Sequence, residues 1–238
     1  MAGHTRKSLS ALDAPRIAPG RAELQSRYRE VRALSRKHNS GLVELATHGA
    51  LLRQARRLGL AHGKTFLVDD PYELAFAFDL LIHTSPPDRP RLVDRYLRSV
   101  NAESGSDDAR VLEAMRSAHF SILYVERRHP VAGLVVRDLT CDAEFQLMDE
   151  GLESSAPEGS LIATRLYILE DFCMTAGVAV PLNAELLRDA LDSVAFLSRL
   201  PMQDAVRDRR FAEAVYRLAL ADGIKDRIVY KDAGAASE

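Results

Sequence analysis

From Phe120 onward the apolar positions recur at close to every second residue. Phe120, Ile122 and Tyr124 interleave with Ser121, Leu123 and Val125, and the run stops at Arg127-Arg128-His129-Pro130. Leu134, Val135, Val136 and Leu139 follow, then Phe145 and Leu147 after Cys141-Asp142. Glu158-Gly159 introduces an apolar run over 160–169, and Glu170-Asp171 separates it from another over 172–180. Short runs rich in β-branched and aromatic residues, bounded by Gly, Pro and Asp, predict strands. Their connections are too short for parallel crossovers, which need a dozen or more residues. The expectation is an antiparallel meander of about five strands over residues 119–181, curled into a small barrel or a strongly twisted sheet.

On both sides of this run the period changes to three and four, which predicts helices. Leu24, Tyr28, Val31 and Leu34 predict a helix over 21–38, ended by Asn39-Ser40-Gly41. A second helix over 41–58 carries Leu42, Leu45, Leu52 and Ala55 on one side. Residues 65–68 read as a strand or an extended link. Asp69-Asp70-Pro71 then supplies a helix start, with Asp as N-cap and Pro at the first helical position. Helices over 91–100 and 109–118 follow, the last opened by Ser106. Beyond the strands, Asn183 caps a helix with Leu186, Leu187, Ala190, Leu191, Val194 and Leu197 on one face, ended by Pro201. A final helix over 203–221 turns Val206, Phe211, Val215, Leu218 and Ala219 inward, an apolar face wide enough to make a homodimer plausible.

The fold class is therefore α+β. The organisation read from the pattern is a loosely attached tail at 1–20, a helical region at 21–118 and an antiparallel β region at 119–182. C-terminal helices on the same core at 183–230 and a frayed tail at 231–238 complete it. A chain of 238 residues, 47% hydrophobic and 28% charged, fits a soluble globular class with a buried core. No apolar run approaches membrane-spanning length, so no membrane partner is expected. Residues 1–20 have no apolar signal region, and a cytoplasmic location is the default expectation.

Charge alters this picture more than composition does. The net charge is -2, yet residues 1–64 hold thirteen Lys and Arg against four Asp and Glu, a surplus of nine that leaves the remainder strongly acidic. Such asymmetry fits a nucleic-acid surface, a basic arm docking on the acidic body or on an acidic protein partner, or plain solvated charge. The first two helices resemble a helix-turn-helix, with Arg53, Arg56, Arg57 and Lys64 placed to meet phosphate. Cations at a helix C-terminus also favour the helix dipole, which gives the arginines a structural reason to be there.

Candidate chemistry is sparse. Cys141 and Cys173 are too few for a disulfide framework or a four-thiolate zinc site, and the seven histidines show no HxH or HExxH spacing. Neither a GxSxG elbow nor a GxxxxGK[ST] or GxGxxG loop is present, so no metal and no cofactor is expected. Asp149 and Glu150 are adjacent, which points them to opposite faces of a strand or into solvent at a turn before Gly151. The polar intrusions that stand out in the β region are Arg137, Asp138 and Arg165. A buried Arg165 needs a carboxylate, and Asp138 or Asp149 is the expected partner in a pair that ties two strands together. The alternative is that Arg137, Asp138 and Arg165 hold an anionic ligand at the barrel mouth.

A family resemblance rests on three blocks. The first is 66–97, with Asp70-Pro71, Asp79, Ser85-Pro86-Pro87 and Tyr96; the second is Ser121-Ile122-Leu123-Tyr124-Val125; the third comprises 134–139 with Arg137-Asp138 and 159–166 with Ala163 and Arg165. Together, across about 66–182, they resemble bacterial uncharacterised proteins related to the SEC-C motif group. The resemblance implies the order of helices and strands but no reaction, and the zinc-chelating cysteines that name that group are absent. Three readings stay open: a non-catalytic interaction or adaptor protein, a nucleic-acid-binding regulator using the basic helices, and an enzyme with an anion site near Arg137 and Arg165.

Overall fold

The computed structural model describes residues 19–223, so the tails read at the two ends lie outside the described residues apart from Pro19 and Gly20. Helices α1 (Arg21–Leu45) and α2 (His48–Arg57) lead into a small hairpin, β1 (Ala61–His62) and β2 (Thr65–Phe66). A 3-10 turn at Pro71–Glu73 opens α3 (Leu74–His83), followed by α4 (Leu92–Leu97) and α5 (Asp107–Ser117). The sheet strands are β3 (His119–Arg128), β4 (Leu134–Asp138), β5 (Ala143–Leu147), β6 (Leu161–Ile168) and β7 (Cys173–Leu182), with α6 (Glu150–Ser155) between β5 and β6. Helices α7 (Ala184–Asp192), α8 (Met202–Arg207) and α9 (Arg209–Ala221) close the described chain. The class is α+β.

Local chemistry accounts for most boundaries. The Ser106 hydroxyl accepts from the Ala109 N–H at 3.2 Å, with Asp107 and Asp108 in the first turn of α5. Asn183 accepts from the Leu186 N–H at 2.7 Å and so caps α7. The break expected at Asn39-Ser40-Gly41 does not occur, because α1 runs straight through it. A Cβ on Gly41 would lie 2.6 Å from the Tyr96 hydroxyl oxygen, so this glycine serves the close approach of α4. That packing outweighs glycine's helix penalty of about 1 kcal/mol. The chain turns instead at Ala46-Thr47, where Thr47 caps α2. Asp149 and Glu150 occupy neither a strand nor a turn: the Asp149 carboxylate accepts from the Leu152 N–H at 3.1 Å and opens α6. The last predicted helix is two, divided at Asp208, which ends α8 and caps α9.

The expected meander is also corrected. Strand β3 pairs antiparallel with β4 on one side and with β6 on the other; β4 pairs with β5, and β6 with β7. The order across the sheet is thus β5-β4-β3-β6-β7, and its edges meet through one parallel pair, Leu147 with Cys173. The sheet is mixed, and the contact that closes it is a single residue wide. The cause is α6, which carries the chain from β5 past the sheet and lets β6 settle beside β3.

Three apolar clusters fill the molecule. Leu123, Val125, Leu134, Val136, Leu147 and Leu166 point into the curl of the sheet. Phe120, Ile122 and Val180 lie on its outer face against α3 and α9. Helices α1, α4 and α5 pack on Tyr167, Phe172 and Met174. Helix α3 feeds the last two clusters at once, with Phe76 and Leu80 in one and Ile82 in the other, as suits a helix apolar nearly all round. Phe211, Val215, Tyr216 and Ala219 of α9 are buried within this same chain, so the apolar face that made a homodimer plausible is taken up by its own core. Among the described residues, no helix is long and apolar enough to cross a membrane.

The loop between β3 and β4 is fixed by Gly133, which has φ +79° and whose added Cβ would stand 2.3 Å from the Leu147 carbonyl oxygen. Gly133→Ala is expected to destabilise the fold by roughly 1–3 kcal/mol from the left-handed backbone alone, and by more if β5 cannot recede. Urea unfolding of the variant against the parent measures it; an unchanged midpoint would show that the loop relaxes freely.

Candidate functional site

Arg165 does meet a carboxylate, but neither Asp138 nor Asp149. Its Nε and Nη2 each donate to Asp79 on α3 at 3.0 Å, a two-point pair in which both side chains are about 95% buried. The Tyr216 hydroxyl from α9 donates to Asp79 Oδ2 at 3.0 Å, and the guanidinium lies 5.7 Å from the centre of the Phe120 ring. Strand geometry aims Arg165 outward. Its register partner on β3 is Phe120, and β7 bulges opposite it, the pairing stepping from Ala179 with Thr164 to Thr175 with Leu166. Burial alone would raise the Asp79 carboxyl, yet the Arg165 charge and the hydrogen bonds hold it below the usual range.

His83, one turn after Asp79, is buried, with Nε2 3.2 Å from the Tyr167 hydroxyl. Its Nδ1 has no hydrogen-bond partner among the described residues. Burial, aided by the Arg165 charge, pushes its pKa down to about 3, so the ring is neutral near pH 7. The sequence signal for this network was Asp79 itself, a lone charge inside Leu-Ala-Phe-Ala-Phe-Asp-Leu-Leu-Ile-His.

Asp138 and Arg137 have separate surroundings. Asp138 is fully buried at the end of β4 and accepts from the Ser121 hydroxyl at 2.8 Å, the Thr140 hydroxyl at 2.7 Å and the Thr140 N–H at 2.8 Å, with His119 Nε2 at 3.4 Å. Burial would raise its carboxyl, but the bonds from His119, Thr140 and Ser121 hold it at about 2. Arg137 faces outward and pairs with Glu126 at 2.7 Å and Asp142 at 3.2 Å. The register partners of Arg137 and Arg165 on β3 are Tyr124 and Phe120, four residues and about 13 Å apart. The three residues therefore form no common cluster. The thiols are not activated either: burial raises Cys141 and pushes Cys173 up to about 12.

The basic N-terminal segment divides into two parts. Helix α1 is fastened to acidic residues elsewhere in the chain: Arg21 to Glu153, Arg27 to Asp107, Arg29 to Glu150, Arg32 to Asp149 and Lys37 to Asp108, all within 3.2 Å. Helix α2 and its hairpin differ. From residue 45 to residue 68 there is no Asp or Glu, while Arg53, Arg56, Arg57 and Lys64 are all exposed. Arg56 folds over the hairpin and donates from Nε to the Gly63 carbonyl at 2.7 Å and from Nη2 to the same oxygen, which sets Lys64 beside the helix. His48 packs edge-on to Phe66 and seals helix to hairpin from the other end. Arg57 has Glu213 at 3.7 Å. Arg53, Arg56 and Lys64 have no ion pair among the described residues.

Residues 22–228 match a family of unknown function, DUF7986, and the chain belongs to it. No curated protein and no solved structure matches it.

Removing one member of the buried pair leaves an uncompensated charge, so Asp79→Ala and Arg165→Ala are each expected to cost about 3–5 kcal/mol. The double substitution Asp79→Leu with Arg165→Met should cost much less than the sum of the two, as read by chemical denaturation; full additivity would mean that the pair is not coupled. His83 adds a pH dependence. Its folded pKa of about 3 lies below the ordinary 6.5, so the unfolded chain takes up the proton first and stability falls as pH drops from 6.5 towards 3. The slope from this group is at most about 1.4 kcal/mol per pH unit. Replacing His83 with Leu should flatten the stability profile in that window, and an unchanged slope would assign it elsewhere.

Proposed function

We propose that this chain is a non-catalytic binding protein that docks on a nucleic-acid backbone through α2 and the β1–β2 hairpin. The observation that carries the reading is the division of basic charge. Five of the six cations on α1 are matched by carboxylates of the chain itself, Arg36 being the exception, whereas on the helix and hairpin only Arg57 meets a carboxylate, Glu213, and Arg53, Arg56 and Lys64 have no ion pair among the described residues. Side chains of this kind bind by displacing condensed counterions from phosphates, which requires exposed, unpaired cations on one surface. The turn that precedes α2 is Ala46-Thr47, so the helix-turn-helix comparison shifts from 39–41 to that point. The likeness of residues 66–182 to SEC-C-related proteins belongs to this proposal as a matter of fold, and no reaction comes with it. The reading as a binding protein is supported by the two unactivated thiols and by the sealing of Asp79, Arg165 and His83 inside the core.

The test is fluorescence anisotropy with labelled duplex and single-stranded oligonucleotides at graded salt. Affinity is expected to fall by a factor of ten or more between ~50 and ~200 mM salt. Arg53→Ala with Lys64→Ala, two sites that anchor nothing else among the described residues, should lower the log–log salt slope by about 2 while leaving stability unchanged. Absence of binding at low salt would sink the reading and leave an acidic protein partner for the same surface.

A further inference from the structure

A second polar surface lies at the other end of α1. Between α1, α6 and the end of β3 runs a groove of about 490 Å³, within the ~300–1,000 Å³ range of small-molecule sites. Arg21, Arg29, Arg128, His129, Glu150 and Glu153 line it. Glu153 pairs with Arg21 at 2.7 Å and Glu150 with Arg29 at 2.8 Å, so two of the three arginines are neutralised. Arg128 is not. Its guanidinium donates to the backbone carbonyls of Leu152 at 3.4 Å and Ala156 at 3.0 Å, which carry no formal charge. Glu158 accepts from the Arg128 backbone N–H at 2.9 Å and makes no ion pair with its side chain. The uncompensated charge of the groove thus resides on Arg128.

The neighbouring imidazole has a fixed tautomer. His129 Nδ1 accepts from the Val131 N–H at 3.2 Å and the Ala132 N–H at 3.4 Å, and the Gln146 amide nitrogen stands 3.2 Å from the same atom. Backbone N–H groups only donate, so Nδ1 is the acceptor and the proton sits on Nε2, the ring nitrogen away from that turn. This Nε2–H has no partner among the described residues. Arg128, a cation with no carboxylate partner among the described residues, and His129, which carries an unengaged ring N–H, therefore line one groove together with Arg21 and Arg29.

We propose that this groove binds a small oxyanion, a carboxylate or phosphate group, held by the Arg128 guanidinium and the His129 Nε2–H. Charge-assisted N–H···O bonds of this kind are among the strong ones, and the planar guanidinium suits two-oxygen acceptors. The site is independent of the nucleic-acid reading, because it shares no residue with α2 or the hairpin.

The experiment is an NMR titration of the full chain at constant ionic strength, following the histidine ring and arginine Nε resonances with inorganic phosphate, with acetate, and with chloride as reference. Saturable shifts at His129 and Arg128 with phosphate or acetate, absent with chloride, are expected. Phosphate alone assigns a phosphate ester as the ligand class, and acetate alone a carboxylate. His129→Asn keeps an acceptor for the 131–132 turn but removes the Nε2–H, and Arg128→Gln removes the charge. Each should weaken binding about tenfold or more. Arg128 also anchors the end of α6, so if Arg128→Gln fails to fold, His129→Asn decides. Arg53→Ala with Lys64→Ala should leave this binding unchanged, which separates it from phosphate held at α2. Shifts that fail to saturate, that chloride reproduces, or that survive both groove substitutions would overturn the proposal.

Discussion

The pair between Asp79 and Arg165 is the constraint on which the packing of this protein depends. Four elements converge on it: α3 supplies the carboxylate, β6 the guanidinium, α9 the Tyr216 hydroxyl and β3 the Phe120 ring. Each partner alone would be a buried charge costing several kcal/mol, so the core closes only when all four elements are in register. Apolar packing tolerates small slips between α3 and the outer face of the sheet; a two-point ion pair does not. The bulge in β7 opposite Arg165 follows the same requirement, since it leaves room for the side chain to leave the sheet towards α3.

Much of the fold was legible in the sequence because it follows from period and turn chemistry. Asn183, Ser106 and the alternation around Phe120 located the starts of α7, α5 and β3 within a residue or two, although α7 stops at Asp192, well short of the end expected at Pro201, and a separate 3-10 turn holds Leu197. What was not legible depended on contacts distant in sequence. Gly41 looks like a helix stop until Tyr96, 55 residues further on, is seen to need the space. The order of the strands turned on α6, six residues with no buried side chain and hence no apolar stripe to betray them. The partner of Arg165 lies 86 residues away on a helix, so a search for carboxylates within the strands could not find it. The cations at Arg53, Arg56, Arg57 and Lys64 were visible from the start; their difference from the cations of α1 was not, because that difference consists of five acidic partners beyond residue 100.

Those five pairs bear on more than charge balance. Singly, exposed pairs contribute little, about 0–1 kcal/mol each. Along one helix of 25 residues they act as a series of clamps: two to the first turn of α5, two to the start of α6 and its Asp149 cap, and one further along α6. A helix held at so many points cannot roll or slide without breaking several of them, so α1 behaves as a rigid spacer. From Arg29 to Leu45 it rises about 24 Å, which places the Arg128–His129 groove and the α2 hairpin well apart. Salt screens both the clamps and the exposed cations of α2, but not equally, since Arg32 and Asp149 are largely buried and keep their attraction when the surface is screened. Raising salt should consequently weaken the field of the exposed α2 cations before it loosens α1. The two proposed surfaces are thus carried at separate points along one clamped helix.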